Sequence, residues 1–366
     1  MSTGLLAAPL TSATLEAPDE YAALEELHRL GCTDGLPVVV PTASRVARMV
    51  LATGLDADLV LGEVGPNFGV ATIEKVAIAA VMAGCLPDHV PVVVAAVKAI
   101  CRPELDTAEV QATTHAISPL LIVSGPARDW CGVASGFGAL GPGHRANQCI
   151  GRALRLVMLN VGGARPGISD MALLGHPGKL AMCLAEDEAA SPWEPLHVSL
   201  GHRADDAVLT VVGTEGPHSV VSVSDADDPT SADRLVRSLA AAVGNLASNN
   251  AHFHRGTVAI ALNPDHAAVL GAAGWSRAEV QRRVWEASRH RRDVLRALNP
   301  GFAGRGADDD LLPSVPTPAD LLVFVAGGGG LYSMVFPSWG AGAHANPSVT
   351  ELIDLGQACE VPVRRA

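Results

Sequence analysis

The sequence predicts an α/β protein in which mostly parallel or mixed sheets are covered by helices and divided between two sub-domains. In the second half, short apolar runs alternate with helical patterns, a rhythm typical of strands followed by covering helices. The length of 366 residues is enough for two domains, and hydrophobic residues make up 48% of the chain against 17% charged. This composition allows a large core, built mostly of Ala, Val and Leu because aromatic residues are only 4%.

In the first half, helices are expected where apolar residues recur at helical spacing behind a capping residue. Ser44 is the expected N-cap of one helix and Thr72 of the next, while Pro91 opens a third. The expected helices are 19–30, 44–53, 72–84, 92–100 and 147–160. Short apolar or β-branched runs predict strands at 36–41, 110–114, 120–124 and 179–185.

The second half predicts strands at 207–213, 258–262 and 321–326, and helices at 231–246, 264–272 and 276–289. Ser276 and Glu279 form the capping pattern of the last helix. The expected domain organisation is a disordered leader at 1–18, an N-terminal α/β domain at 19–203 and a second α/β domain at 204–300. A polar linker or flap at 301–318 follows, and the segment 319–366 completes the second domain.

Charge, targeting and cysteine usage argue against several classes of protein. The formal net charge is −12, so we expect no nucleic-acid partner, which would need a basic face. We expect no export signal and no membrane association, because residues 1–18 lack a basic start and no apolar run reaches the ~20 residues of a bilayer span. The 7 cysteines are odd in number and lack a CxxC pair, which favours free thiols in a reducing cytoplasm.

The glycine run behind the expected strand at 321–326 predicts an anion site. Glycines at the carboxyl end of a strand allow backbone N–H groups to approach a phosphate or carboxylate closely. Neither a Walker motif nor a dinucleotide fingerprint is present, and a tight turn without a ligand is the alternative. The candidate substrate-binding residues here are Gly327, Gly328, Gly329, Gly330, Tyr332 and Ser333.

A second expected anion site precedes the helix at 147–160. A glycine-rich loop at 130–143 leads into this helix, and helix N-termini favour anions. Arginine adds charge and bidentate hydrogen bonds to such a site. The candidates are Arg145, Asn147 and Arg152, with a solvated arginine pair beside structural glycines as the alternative.

Acid–base and thiol candidates lie at expected strand and helix ends. His115 closes the strand expected at 110–114, where an imidazole is well placed for proton transfer near neutral pH. Glu186 follows the strand expected at 179–185. Cys85 ends the helix that carries Glu74 and Lys75 near its start, and its thiol would be reactive only beside a positive group or a helix N-terminus. A structural His115 and a buried, inert Cys85 are the alternatives.

A His-Phe-His pattern offers a weaker metal hypothesis. On a strand, His252 and His254 would share one face, with Glu215 and His218 as conceivable further ligands. No HExxH motif or clustered CxxC pattern is present, so a structural zinc site is not expected. A divalent metal ion as cofactor therefore stays open.

Several segments between Gly31 and Trp339 resemble a poorly characterised bacterial family associated with UGSC-motif proteins, which carry a selenocysteine or cysteine followed by Gly-Ser-Cys. The segments are 34–42, 71–85, 111–115, 151–155 and 191–195. The chain itself has no Cys-Gly-Ser-Cys tetrapeptide. The resemblance implies one evolutionary unit working beside a thiol-active partner, and it carries over no catalytic roles.

Together these patterns predict a cytoplasmic enzyme that acts on a small carboxylate- or phosphate-bearing metabolite. The expected chemistry is acid–base or thiol chemistry of the lyase or hydrolase type. One alternative is a metal-dependent enzyme using His252 and His254. Another is a non-catalytic subunit that partners a thiol or selenol redox protein. The expected partners are the small-molecule substrate and either a second copy of the chain or the thiol protein.

Overall fold

The computed structural model describes residues 10–223, 225 and 227–355. The helices are α1 Glu20–Arg29, α2 Ala43–Thr53, α3 Ile73–Ala83, α4 Val90–Ile100, α5 Thr107–Ala112, α6 Ala127–Trp130, α7 Arg145–Asn160, α8 Leu196–Ser199, α9 Ser231–Val243, α10 Asn249–Phe253, α11 Pro264–Ala272, α12 Arg277–Ala287 and α13 Arg292–Leu298. The strands are β1 Val60–Val64, β2 Gly69–Thr72, β3 Ser118–Ser124, β4 Cys183–Ala185, β5 Val208–Thr214, β6 His218–Val221, β7 Val258–Leu262, β8 His290–Arg291, β9 Leu311–Leu312, β10 Leu321–Val325, β11 Tyr332–Phe336 and β12 Val349–Leu352.

Two four-stranded mixed sheets organise these elements, and the predicted α/β class is confirmed. The first sheet has the order β12-β5-β3-β4, with β3 and β4 parallel and β5 antiparallel to both of its neighbours. The second has the order β10-β7-β11-β6, with β10 and β7 parallel and β11 antiparallel to its neighbours. Short antiparallel pairs form between β1 and β2 and between β8 and β9.

The two sheets pack face to face and carry helices on their outer faces. Side chains alternate between the faces of a strand, so each sheet can contribute to two cores. Ile122 and Val212 of the first sheet share a buried cluster with Phe324 and Phe336 of the second. The outer face of the first sheet packs against α4 and α7, on which α2 and α3 pack in turn, and that of the second packs against α9, α11 and α12. The result is a four-layer arrangement of helices, sheet, sheet and helices.

Two predicted strands are wrong. Residues 36–41 form no strand, because Pro37 and Pro41 lack the N–H that a ladder needs, and Val39 N donates instead to Met82 O at 3.1 Å. Residues 110–112 belong to α5 and 113–114 follow it, because the good helix formers around Val110 outweigh a short apolar run. His115 therefore follows a helix.

The N-cap predictions are partly confirmed. Thr72 Oγ1 accepts from Lys75 N at the start of α3, as predicted. The expected cap Ser44 lies inside α2, and Thr42 caps that helix by accepting from Arg45 N. Gly84 ends α3 in the left-handed region at φ 83°, a conformation that favours glycine. Cys85 thus lies beyond the helix.

Strand pairing crosses the boundary expected at residue 204. Strand β5, expected to open a second domain, lies in the first sheet between β12 and β3. Strand β12, from the C-terminal segment, returns to that same sheet. Residues 1–9 of the expected leader and 356–366 of the expected C-terminal segment, including Cys359, lie outside the described residues. The division into two domains stays a prediction.

Within the described residues, no helix is both long enough and apolar enough to span a bilayer.

Candidate active site

A cleft of about 730 Å³ lies between the loop after α1 and the irregular segment that follows α7. Its apolar wall includes Leu159 of α7 and Leu180. Small-molecule sites combine such walls with a few convergent polar groups. The ionisable side chains that line the cleft are His28, Asp34, Arg155, Asp170, His176 and Lys179.

A buried ion triad lies at the cleft. Asp170 Oδ2 accepts from Arg155 Nη2 at 2.9 Å, and its Oδ1 accepts from Lys179 Nζ at 2.8 Å. Burial acts to raise the pKa of Asp170, but the hydrogen bonds and charges of its two cations outweigh burial and lower it. Burial lowers the pKa of Lys179, which has only one carboxylate to oppose that effect. The triad holds Asp170 firmly ionised.

The cleft carries an excess of positive charge. Asp34 is already neutralised, because Arg152 donates to its two oxygens at 2.7 and 2.8 Å. Asp170 then remains as one carboxylate against the two cations Arg155 and Lys179, a net charge of +1. In a protein with a formal net charge of −12, this local excess favours an anionic ligand.

His176 supplies an imidazole to the same cleft. Its Nδ1 accepts a hydrogen bond from Gly178 N at 3.1 Å, so a neutral ring carries its proton on Nε2. Burial lowers the pKa of His176, and the charge of Lys179 lowers it further, while Glu215 opposes both. The neutral ring therefore prevails near pH 7.

The predicted acid–base residue His115 lies outside the cleft, on the far side of His176. Its Nε2 is 3.1 Å from Glu215 Oε1, and its Nδ1 contacts Asn249 Nδ2 at 2.7 Å. Gly216, the next residue after Glu215, lies directly against the His176 ring. Leu173 N also donates to Thr114 O, which ties the cleft segment to the chain beside His115. His115 is thus adjacent to the cleft, held by side chains on both ring nitrogens.

The other candidate base, Glu186, occupies a different place. It lies between the two sheets, immediately after β4, and is fully buried. Its carboxylate accepts from Leu196 N at 2.8 and 3.0 Å and from Ser124 Oγ at 3.0 Å. Burial raises the pKa of Glu186 to about 7, although the Leu196 N–H and Arg277 oppose this rise. The structure does not bring Glu186 and His115 together.

The thiol of Cys85 is a core group. Cys85 is buried against α7, where its Sγ lies 3.4 Å from Cys149 O. Burial raises the pKa of Cys85 well above its usual value, and the neighbouring Cys149 adds to this effect more than Arg145 opposes it. A thiolate is disfavoured at this position.

Glu74 and Lys75 have structural partners. The Glu74 carboxylate accepts hydrogen bonds from the backbone N–H groups of Thr11 and Ser12 at 2.8–3.1 Å and from the Thr11 hydroxyl. Burial acts to raise the pKa of Glu74, but these hydrogen bonds lower it. Lys75 Nζ donates to Val70 O at 2.6 Å. Glu74 therefore anchors a stretch of the segment expected to be a leader.

The residues expected to bind an anion at the start of α7 bind protein groups instead. Arg145 donates to Gly84 O at 2.8 and 3.1 Å. Asn147 is buried and forms hydrogen bonds with the backbone of Ala134 and Ala139 at 2.8–2.9 Å, which fixes the glycine-rich loop. Arg152 is engaged by Asp34 beside the cleft.

The glycine run behind β10 also packs against protein. Gly327 N donates to Ser135 O at 2.6 Å, and a side chain at Gly328 would clash with Phe137. The site next to Gly329 faces the Asp265 carboxylate, whose charge disfavours an anion there. Gly330 is open, and its carbonyl accepts from Asn263 Nδ2.

The side chains of the two residues expected to extend the glycine run lie in different environments. Tyr332 is exposed on β11. Ser333 is buried, accepts from Asn263 N and lies 2.7 Å from His266 Nδ1. Neither residue lines the cleft.

The histidine pattern lies on a helix end, because His252 belongs to α10 and His254 is its C-cap at φ 57°. His252 Nε2 contacts Leu246 O at 2.7 Å, and His254 Nδ1 contacts Pro313 O at 2.8 Å. His218 is exposed on β6. Across residues 10–223, 225 and 227–355, the one group of three side chains with metal-ligand spacing is Glu186, Glu188 and His197.

Sequence reasoning missed the residues that form the cleft. Arg155 lies on the partly exposed side of α7, and Asp170, His176 and Lys179 lie in a long irregular segment. Long irregular segments inside compact domains are often functional. The Gly- and Pro-rich stretch 162–178 carries that signal. Its composition does not indicate which side chains would contact one another.

Comparison with known proteins gives no relative. No protein-family model matches the chain, and no curated protein or solved structure matches it. The resemblance to the UGSC-associated family stays a prediction, and a functional assignment has to come from the geometry.

Proposed function

We propose that this protein is an enzyme that binds a small carboxylate- or phosphate-bearing metabolite in the cleft and acts on it by acid–base chemistry. The observation that carries this proposal is the pair of cations, Arg155 and Lys179, set against the single carboxylate of Asp170. The excess positive charge and the buried position both favour an anion, since electrostatic attraction is stronger in a partly desolvated site.

Hydrogen-bond donors remain available at this pair. An ammonium group has three donors, and Lys179 uses one of them on Asp170. Arg155 uses Nη1 on Gln111 and Nη2 on Asp170, so its Nε–H is left for a ligand. An anionic group of the substrate would bind these donors, while Asp170 holds both cations in place.

His176 is the acid–base group in this proposal. Burial lowers the pKa of His176, so the ring is neutral near pH 7, and a neutral imidazole can polarise a substrate oxygen as an electrophile. In the neutral ring, the proton is on Nε2, a buried atom for which the bound ligand would supply a hydrogen-bond partner, while Nδ1 is held by Gly178 N. A lyase or hydrolase step needs such a group beside a bound anion. His115 and Glu215 would position His176 from behind.

The cleft has the size of a metabolite site, since such sites span about 300–1,000 Å³. We also propose a cytoplasmic location, because the described cysteines form no disulfide and a reducing compartment keeps thiols in that state.

The test is a screen of small carboxylates and phosphate esters for thermal stabilisation, followed by product detection on each ligand found. We expect His176→Gln to lower kcat by roughly 100-fold or more, the usual effect of losing an acid–base group. His218→Gln, which changes an exposed histidine on β6, is the matched control and should keep its activity. Turnover that survives unchanged in His176→Gln would overturn the proposal.

A further inference from the structure

We propose that Glu186, Glu188 and His197 form a binding site for a divalent transition-metal ion of the Zn²⁺ class. None of the three lines the cleft, so the site is additional to the proposed substrate site. One ligand atom from each residue lies within 4.8 Å of the others. The site lies where β3 and β4 end between the two sheets.

The chain brings these ligands together through a strand end and a short helix. Glu186 and Glu188 follow β4 directly, and His197 lies in the first turn of α8. Leu196 precedes His197, and its backbone N–H donates to the Glu186 carboxylate. This hydrogen bond fixes α8 against the end of β4. The metal would therefore bind across a junction that the backbone already forms.

His197 supplies the independent observation. Its side chain is fully buried, and neither ring nitrogen has a hydrogen-bond partner among the described residues. A buried polar atom without a partner loses its hydrogen bonds to water and gains none in return, which destabilises the folded chain. Coordination to a metal ion would satisfy one of these nitrogens, and the carboxylates of Glu186 and Glu188 lie within reach of it.

The carboxylates keep coordination capacity despite their present hydrogen bonds. Glu188 accepts from Gly125 N at 2.6 Å and from Arg128 Nη2 at 3.0 Å, one bond to each oxygen. A carboxylate offers about four lone-pair positions, so each oxygen of Glu188 retains one for a metal. Glu186 Oε2 already accepts from Leu196 N and Ser124 Oγ, so its Oε1 is the oxygen with a position left. Hydrogen bonds of this kind orient the ligands of metal sites. The hydrogen bonds from Gly125 and Arg128 would orient the Glu188 carboxylate in the same way.

Ligand spacing requires only a modest contraction. Zn²⁺ binds nitrogen and carboxylate oxygen at about 2.0–2.2 Å, so two tetrahedral ligands lie about 3.4 Å apart. The ligand atoms here lie within 4.8 Å of one another. Rotation of the three side chains would close the difference when the metal binds. One imidazole and two carboxylates suit Zn²⁺ better than Mg²⁺ or Ca²⁺, which prefer oxygen ligands alone.

Two arginines oppose a cation at this place. Arg277 Nη2 lies 3.6 Å from Glu186 Oε1, and Arg128 pairs with Glu188. Their charges balance those of the two carboxylates, so an added dication experiences repulsion from both. This opposition makes a specific prediction, because removing the half-buried Arg128 should tighten metal binding. A plain charge network would show no metal binding in either form.

The test is a calorimetric titration of chelator-treated protein with Zn²⁺ alone and with Mg²⁺ alone. We expect one Zn²⁺ per chain and much weaker Mg²⁺ binding. Glu188→Gln should weaken Zn²⁺ binding at least 10-fold, and His197→Gln should do the same, while Arg128→Met should strengthen it. Glu194→Gln changes a nearby exposed carboxylate and should leave the affinity unchanged.

Absence of stoichiometric Zn²⁺ binding in the wild-type protein would overturn the proposal. Equal affinity in wild type and Glu188→Gln would overturn it too. Glu188 is half-buried and Gln has nearly its shape, so this variant decides the question even where His197→Gln fails to fold. The measurement requires no substrate, so its failure leaves the proposed function of the cleft untouched.

Discussion

At the scale of single residues, buried ionisable groups divide into those held by several partners and those held by few. Asp170 has two cationic partners, and breaking such a buried pair leaves charges without compensation. Cys85 has a backbone carbonyl and apolar neighbours, and burial raises the pKa of its thiol. The surroundings of Asp170 stabilise a charged group, whereas those of Cys85 disfavour one. The cleft is therefore the better candidate for a catalytic site.

Asp170→Asn should destabilise the protein by about 3–5 kcal/mol, because Arg155 and Lys179 would then be buried cations without a carboxylate. Urea unfolding of wild type and variant measures the difference. Asp205→Asn is the matched control, since Asp205 pairs with Arg203 on the surface and its loss should leave the unfolding midpoint unchanged. Equal midpoints for Asp170→Asn and wild type would contradict the triad's structural role.

The sequence identified two residues beside the cleft, His115 and Arg152, and none of the three residues of the buried ion triad. His115 was found because an imidazole at an element end is a recognisable pattern, although the element proved to be a helix. Arg155, Asp170 and Lys179 meet through contacts between α7 and an irregular segment, and no local spacing encodes that meeting. Arg152 illustrates the converse, because an arginine found by its position is engaged by Asp34.

At the scale of elements, helix ends carry much of the local organisation. Thr72 caps α3, Gly84 ends it, and a short 3₁₀ turn at Pro87–His89 then leads into α4. His89 is buried in that turn, where its Nδ1 accepts from Leu86 N at 3.2 Å. Burial is the main cause that lowers the pKa of His89 to about 4, and Arg145 adds to it.

His89 should therefore make the folded state sensitive to acid. The unfolded chain takes up a proton near pH 6.5, whereas the folded chain does so only near pH 4, so stability is lost as the pH falls between these values. We expect His89 to contribute a loss of about 2–3 kcal/mol between pH 6.5 and 4.5. Urea unfolding of wild type and His89→Gln at both pH values isolates this contribution. A wild-type loss no larger than that of the variant would contradict it.

Element boundaries were predictable where a cap or an abrupt change of pattern marks them. Strand β7 and helix α11 begin and end where the sequence predicts, because an apolar run is followed at once by Asn263 and a proline. The segment at 36–41 reads as a strand from its valines alone. Its prolines remove the donors that pairing requires, so the local pattern was misleading.

At the scale of the whole molecule, the alternation of strands and helices was enough to predict the fold class. It was not enough to predict which strands pair. Strand β5 lies between β3 and β12, and β12 comes from the far end of the described chain. Such pairings depend on which strand faces can be buried together. The sequence of one strand does not specify which strands lie beside it. The layer between the sheets, with Phe324 and Phe336 at its centre, follows from those pairings.

Anion binding by the cleft can be measured by titration calorimetry with inorganic phosphate. The formal net charge of −12 disfavours casual phosphate binding elsewhere on the surface. We expect one phosphate per wild-type chain, and at least 10-fold weaker binding in Lys179→Met and in Ala172→Trp, whose larger side chain would narrow the cleft while all three triad residues are kept. Ala307→Trp, on an exposed loop, should bind as wild type does. No phosphate binding by wild type, or equal binding by Ala172→Trp and Ala307→Trp, would rule out an anion site in the cleft.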